Sequence, residues 1–179
     1  MNNWINTYTG NIFSFDFIEK NKINIEDIAH ALALTNRFCG HTFKPYSVAQ
    51  HSIYVAQHIN KKYKLEGLLH DALEAYGHDI TAPLKRSLKK DKELINIHNK
   101  IDALISNTFS LKRSKEALKC VYIADMRTLA TERCYLFNGK GFKHDWNLAY
   151  KPYNDPIEFK HWEDVKKEFL DIFYNLYKY

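Results

Sequence analysis

The sequence predicts an all-α domain preceded by a short β-hairpin. Three observations carry this. There are only 6 Gly and 4 Pro in 179 residues, so few points interrupt regular structure. Leu and Ile recur at helical spacing in Leu94, Ile97, Ile101, Leu104 and Ile105, and again in the last twenty residues. Thr9-Gly10-Asn11, set between aromatic residues and Ile12, has the turn composition of a hairpin.

Taken in order, the hairpin occupies the first twenty residues. Asn24 precedes Ile25-Glu26-Asp27-Ile28, an N-cap followed by acids in the first turn, and starts a helix that runs to about residue 34. Residues 36–45 form a loop containing Arg37, Gly40 and His41. Helices are expected over about 46–59 and about 65–76, the latter stopped by Gly77. Pro83 sits in or at the start of a further short helix. Helices then cover 92–109 and about 114–137. A glycine-rich, aromatic loop spans 138–156. The last helix, about 157–177, aligns Trp162, Val165, Phe169, Ile172, Phe173 and Leu176 on one stripe, either core or subunit interface rather than a ligand surface. With no repeat, low-complexity tract or long linker, residues 1–179 read as a single domain.

Composition excludes several classes. A 45% hydrophobic and 15% aromatic content is that of a globular chain able to bury a core. Cys39, Cys120 and Cys134 form no Cys-x-x-Cys pair, which argues for a reducing compartment and against a disulfide framework. The amino terminus lacks a basic start followed by an apolar run, and no apolar run approaches membrane-spanning length. The expectation is a soluble, cytoplasmic protein. The net charge of +5 suits a polyanionic substrate such as a nucleotide, but is too diffuse to argue for a nucleic-acid polymer.

Three His-Asp pairs occur: His70-Asp71, His78-Asp79 and His144-Asp145. Nine histidines and eleven aspartates in this length predict about half of one such pair by chance, so context must choose. His144-Asp145 lies in the glycine-flanked loop, and His78-Asp79 just beyond a helix end. His70-Asp71 follows Leu68-Leu69 inside the apolar part of a helix, where two ionisable groups are costly unless paired. A metal ion is the most economical partner. His51 shares a helical face with Val48, Ser52 and Val55, and Asp125 ends the run Val121-Tyr122-Ile123-Ala124. A lone histidine on an apolar face is more often a hydrogen-bonded core residue, and Asp125 alone could form a buried salt bridge with Arg37 or Arg127. Beside His70-Asp71, both become ligand candidates. Two imidazoles and two carboxylates suit Mn, Co, Fe, Ni, Zn or Mg without choosing among them.

Glu74 follows Asp71 by three residues and His70 by four, a spacing equally compatible with a general acid or base and with a solvated helix position. Lys85 and Arg86 can neutralise phosphate oxygens or be plain surface charges. Arg37, with Phe38 and then Gly40-His41, offers a planar fork for phosphate beside an aromatic face for a base.

These residues resemble the HD-domain phosphohydrolases, whose signature is the spaced pattern His…His-Asp…Asp. The resemblance is closer to the branch of bacterial 5'-deoxynucleotidases and phage dATP triphosphohydrolases. Its carriers are Arg37-Phe38, Ser47-Val48-Ala49-Gln50-His51, Leu69-His70-Asp71-Ala72-Leu73-Glu74, then Asp79, Pro83 and Lys85, and Ala124-Asp125-Met126-Arg127. Trp4-Ile5, Thr9-Gly10, Asp27 to Leu32 and Gly40-His41-Thr42 resemble short phage and prophage members. The resemblance implies an all-α bundle around an ion held by His51, His70, Asp71 and Asp125. It implies catalytic carboxylates at Glu74 and Asp79, substrate contacts at Arg37, Phe38 and Lys85, and a homo-oligomer; His41 joins Lys85 and Arg86 as a candidate substrate-binding residue for phosphates beyond the first. One departure is Phe38, where the bacterial deoxynucleotidases have Trp.

The expected activity is metal-dependent cleavage between the α-phosphate and the 5' oxygen of a deoxynucleotide, with dATP favoured. Three other functions compete. One is a different HD enzyme, acting on guanosine tetraphosphate or a cyclic nucleotide; the Gly-Tyr-Pro motif of the cyclic-dinucleotide type is absent. Another is a non-catalytic HD-like module, though such modules usually lose their ligands. The last, a single-strand nucleic-acid binder, rests on charge and aromatics alone.

Overall fold

The computed structural model describes residues 3–88, 91–140 and 144–177. Its architecture is all-α behind a short antiparallel hairpin. Strands β1 (Trp4–Asn6) and β2 (Ile12–Ser14) pair with Ile5 opposite Phe13. Gly10, at φ +83°, closes the turn by donating to Thr7 O at 3.0 Å. The hairpin is tied down rather than free: Thr9 donates its N–H and its hydroxyl to the buried Asp27 carboxylate, at 2.7 and 3.0 Å. Phe13 enters the core, stacked on Tyr76.

The helices are α1 (Ile25–Leu34), α2 (Val48–Gln57), α3 (Lys64–Leu68), α4 (Glu74–Gly77), α5 (Ala82–Ser87), α6 (Lys92–Thr108), α7 (Lys115–Tyr135) and α8 (Trp162–Leu176). Their starts obey ordinary capping chemistry. The side chains of Asn24, Ser47, Asp91 and Ser114 each accept a backbone N–H in the first turn of α1, α2, α6 and α7. Pro83 lies in the first turn of α5, where its missing donor is harmless.

α2 lies at the centre, packed against α1, α3, α7 and α8. From Val48 to Ala56 every residue is buried, so it has no solvent face. Gly67 brings α3 close to it; a Cβ there would lie 3.2 Å from Ile59 Cγ2 and 3.5 Å from the Ala56 Cα. The stripe on α8 is core: Val165, Phe169 and Phe173 are buried and Trp162 and Ile172 pack against the same cluster. Its buried residues serve the core, while Trp162, Ile172 and Leu176 stay partly exposed.

Two expectations need correction. The helix expected over 65–76 is broken. α3 ends at Leu68, and the chain continues in tight i→i+3 bonds, from Ala72 N to Leu69 O and from Glu74 N to Asp71 O, before α4 begins. The cause is local: His70 Nδ1 takes the Gly67 carbonyl at 2.8 Å, an acceptor that a continuing helix would give to the amide of Asp71. The last helix begins at Trp162, not near residue 157; Ile157 is buried in a cluster with Tyr46, Tyr54 and Leu136, which ties the segment before α8 to another part of the fold. Of the loop expected over 138–156, residues 141–143 lie outside the described residues.

Candidate metal centre

Three elements deliver the donors. The centre of α2 supplies His51, the turn between α3 and α4 supplies His70 and Asp71, and α7 supplies Asp125. His51 Nε2 lies 3.3 Å from His70 Nε2, 3.1 Å from Asp125 Oδ1 and 3.6 Å from Asp71 Oδ2. His70 Nε2 is 3.1 Å from Asp71 Oδ2. His51, His70 and Asp125 all lie within 4.8 Å of one another, and Asp71 joins through its contacts with both rings.

The other nitrogen of each ring determines what this cluster can hold. His51 Nδ1 donates to Glu132 Oε1 at 2.7 Å, and His70 Nδ1 donates to the Gly67 carbonyl. Neither partner can donate, so in the neutral rings both Nε2 atoms present lone pairs inward. Two lone pairs and two carboxylate oxygens facing one another repel unless a cation lies between them. Donors about 2.1 Å from a common ion sit about 3.0–3.4 Å apart in neighbouring positions, close to the spacings here. The donor set therefore fits a divalent cation.

The electrostatics agree. Burial and Arg37 push His51 down, but Glu132 and Asp125 outweigh them and raise it to about 9. A proton thus takes the place that a cation would fill. Burial pushes Asp71 up, yet His70, His51 and Arg37 together hold it well below the usual carboxylate range. Asp125 is likewise pushed up by burial and brought down overall by His51.

Glu74 differs. Its side chain is 4% exposed, and Oε2 is buried with no hydrogen-bond partner among the described residues. Burial, then the charges of Asp71 and Asp79, push its carboxyl up to about 8. Lys85 Nζ lies 3.3 Å from Oε1 but is 44% exposed, too solvated to hold the carboxyl ionised against burial and two aspartates. This predicts a stability effect. A folded-state value of about 8 exceeds the roughly 4.3 of an unfolded glutamate, so ionising Glu74 costs folding energy. The stability is whole below about pH 4 and is lost as pH rises towards and through 8. In metal-free protein, Glu74→Gln is expected to be the more stable form at pH 8.5, by on the order of a few kcal/mol, and the gap to shrink at pH 5.5. Chemical denaturation at both pH values measures it; a gap that does not change with pH contradicts the assignment.

The remaining expected residues divide. Arg37 is at the site, but its fork is already engaged: Nη2 contacts Glu132 Oε2 at 3.1 Å and Nη1 lies 3.7 Å from Asp71 Oδ2. The chain turns sharply after it, with Phe38 and Cys39 in left-handed conformations at φ +55° and +52°, costing about 1–2 kcal/mol each. The base of this loop is closed by Arg37 N to Tyr46 O and Val48 N to Thr35 O, both 2.9 Å. The Phe38 ring lies 5.3 Å from the Arg37 guanidinium and packs with Phe137 and Trp146 into an aromatic wall. Lys85 and Asp79 stand around Glu74. His41 and Arg86 are exposed and neither has a contact placing it at the cluster. Arg127 is not Asp125's partner: it lies over the Tyr153 ring at 3.9 Å and donates to Lys151 O. His78 and His144 are exposed and remote in role from the donors.

The sequence reading missed Glu132. It is fully buried and binds both His51 and Arg37. A signal existed: Asp125, Thr128 and Glu132 share one face of α7 at i, i+3 and i+7.

Comparison with known proteins finds two relatives. The chain is 42% identical over 130 residues to the uncharacterized protein YfdR of Escherichia coli (strain K12), covering 73% of this chain and 70% of that one. It is 35% identical over 98 residues to an uncharacterized protein of Rhodobacter capsulatus, covering 50% of this chain and 49% of that one. No family model matches the chain.

Proposed function

The chain belongs to the same family as YfdR, and from the site itself we propose that it is a metal-dependent phosphohydrolase of the HD superfamily acting on deoxynucleotides. The observation that carries this reading is the cluster of His51, His70 and Asp125, with Asp71 Oδ2 3.1 and 3.6 Å from the two inward ring nitrogens and the other nitrogen of each ring tied to an acceptor outside the cluster. A divalent cation held by His51, His70, Asp71 and Asp125 would supply Lewis acidity there.

The protein's own groups do the rest. His51, His70, Asp71 and Asp125 hold the cation's place and fix where the α-phosphate lies. Glu74, with a carboxyl near neutral titration, takes a proton from the attacking water or gives one to the departing 5' oxygen. Lys85 offers its ammonium to phosphate oxygens beside Glu74. Arg37, held by Glu132 and Asp71, adds a fixed positive charge at the edge of the donor cluster. The wall of Phe38, Phe137 and Trp146 provides ring faces for a base. No helix among the described residues is long and apolar enough to cross a membrane, and the cysteines Cys39, Cys120 and Cys134 are free. Both observations suit a cytoplasmic enzyme. Superfamily membership would also make it a homo-oligomer.

In the reaction, the water oxygen bonds to the α-phosphorus, the bond from that phosphorus to the 5' oxygen breaks, and the proton lost by water balances the one gained by the nucleoside. dATP is then expected to give deoxyadenosine and intact triphosphate, dAMP to give deoxyadenosine and phosphate, and ATP to react more slowly. Chromatography of the products with Mn or Co present tests this. Release of dADP or dAMP from dATP would mean cleavage at an outer phosphate and overturn the proposed bond.

A further inference from the structure

We propose that Glu132 is the positioning residue of the cation site, one buried carboxylate that aligns ligands coming from α2 and from the turn between α3 and α4. The inference rests on the reading of this cluster as a cation site and deepens it. Oε1 accepts from His51 Nδ1 at 2.7 Å, and Oε2 accepts from Arg37 Nη2 at 3.1 Å. Each oxygen thus has its own cationic or N–H partner, and the side chain is fully enclosed.

Three consequences follow from this one placement. First, the bond to Nδ1 fixes the ring so that Nε2 faces Asp125 and His70 and, in the neutral ring, is the nitrogen left to bind a cation. A carboxylate acceptor also makes that imidazole a more basic ligand than a carbonyl acceptor would. Second, Arg37, pinned by Glu132, turns its other nitrogen toward Asp71 Oδ2 at 3.7 Å, so the same oxygen that meets His70 Nε2 also feels a charge that Glu132 holds in place. Third, Glu132 stands seven residues after Asp125, two turns along the same face of α7. One helix therefore carries both a ligand and the group that orients a ligand on α2. His70, by contrast, is oriented by the Gly67 carbonyl. The two imidazoles are set by unlike partners, and only the His51 setting depends on a side chain that can be replaced.

The test is Co(II) affinity, measured by equilibrium dialysis and by the visible spectrum, in wild type, Glu132→Gln and Glu132→Asp, with thermal melting of each. Glu132→Gln keeps the shape but loses the charge and cannot accept from both partners. Glu132→Asp keeps the charge that Arg37 needs but is one methylene too short to reach both groups. Both are expected to melt cooperatively and to bind Co(II) about 10–100-fold more weakly than wild type, with an altered spectrum. A purely structural role predicts lower melting with unchanged affinity and spectrum, and that result overturns the proposal while leaving the cation site intact. If Glu132→Gln fails to fold, folded Glu132→Asp with wild-type affinity overturns it equally. Wild-type protein that binds no Co(II) removes the cation reading itself, and this inference with it.

Discussion

Asp71→Asn is expected to abolish turnover and to cut divalent-cation binding by at least about 10²-fold while the protein still folds. Asp71 Oδ2 touches the inward nitrogens of both imidazoles, and the carboxylate is the group that the local charges hold most firmly ionised. Asparagine preserves size but offers a neutral oxygen, or turns an N–H donor toward bare nitrogens. The fold should survive because the apolar contacts of Leu68, Leu69 and Ala72, all fully buried, are untouched. Metal analysis of the purified variant, a thermal melt and an assay with added Mn or Co measure the three parts. Exhaustive chelation of wild type should reproduce the loss, and Mn or Co should reverse it. Asp145→Asn is the control, since that side chain is 74% exposed. An active Asp71→Asn beside a dead Asp145→Asn would show that the wrong His-Asp pair has been chosen.

The second large effect belongs to Glu74. Glu74→Ala is expected to keep the cation and to lose about 10²-fold or more in kcat, the scale of a lost general acid or base. Among the described contacts its oxygens meet Lys85 and no donor of the cluster, so binding should not need them. The raised carboxyl and the unpartnered Oε2 mark a group held ready to exchange a proton. Loss of metal together with rate would instead make Glu74 a ligand or a structural support.

Much of this was readable from residue order. The caps at Asn24 and Ser47, the apolar spacing of α6 and the Thr9-Gly10 turn specify their elements locally, and local signals survive folding. The choice of His70-Asp71 over the two other pairs rested on burial, which the apolar run Leu68-Leu69 announces. What could not be read was tertiary. The turn at 69–73 exists because the His70 ring takes a carbonyl that an unbroken helix would use. Arg37 looked like a free fork for phosphate because nothing in its own loop reveals a carboxylate ninety-five residues away. Ile157 reads as a helix start until Tyr46 and Leu136 are known to surround it.

The burial of α2 has an evolutionary consequence. From Val48 to Ala56 every residue is buried, so a change of volume at most of these positions is paid for in packing on some neighbour. The helix that bears His51 is thus the least negotiable part of the molecule, and drift there is confined to swaps of similar size. Changes of size are absorbed more easily where the chain has slack, at exposed positions such as His41 and along α5, which has no buried residue. Substitutions there leave the packing around His51 untouched.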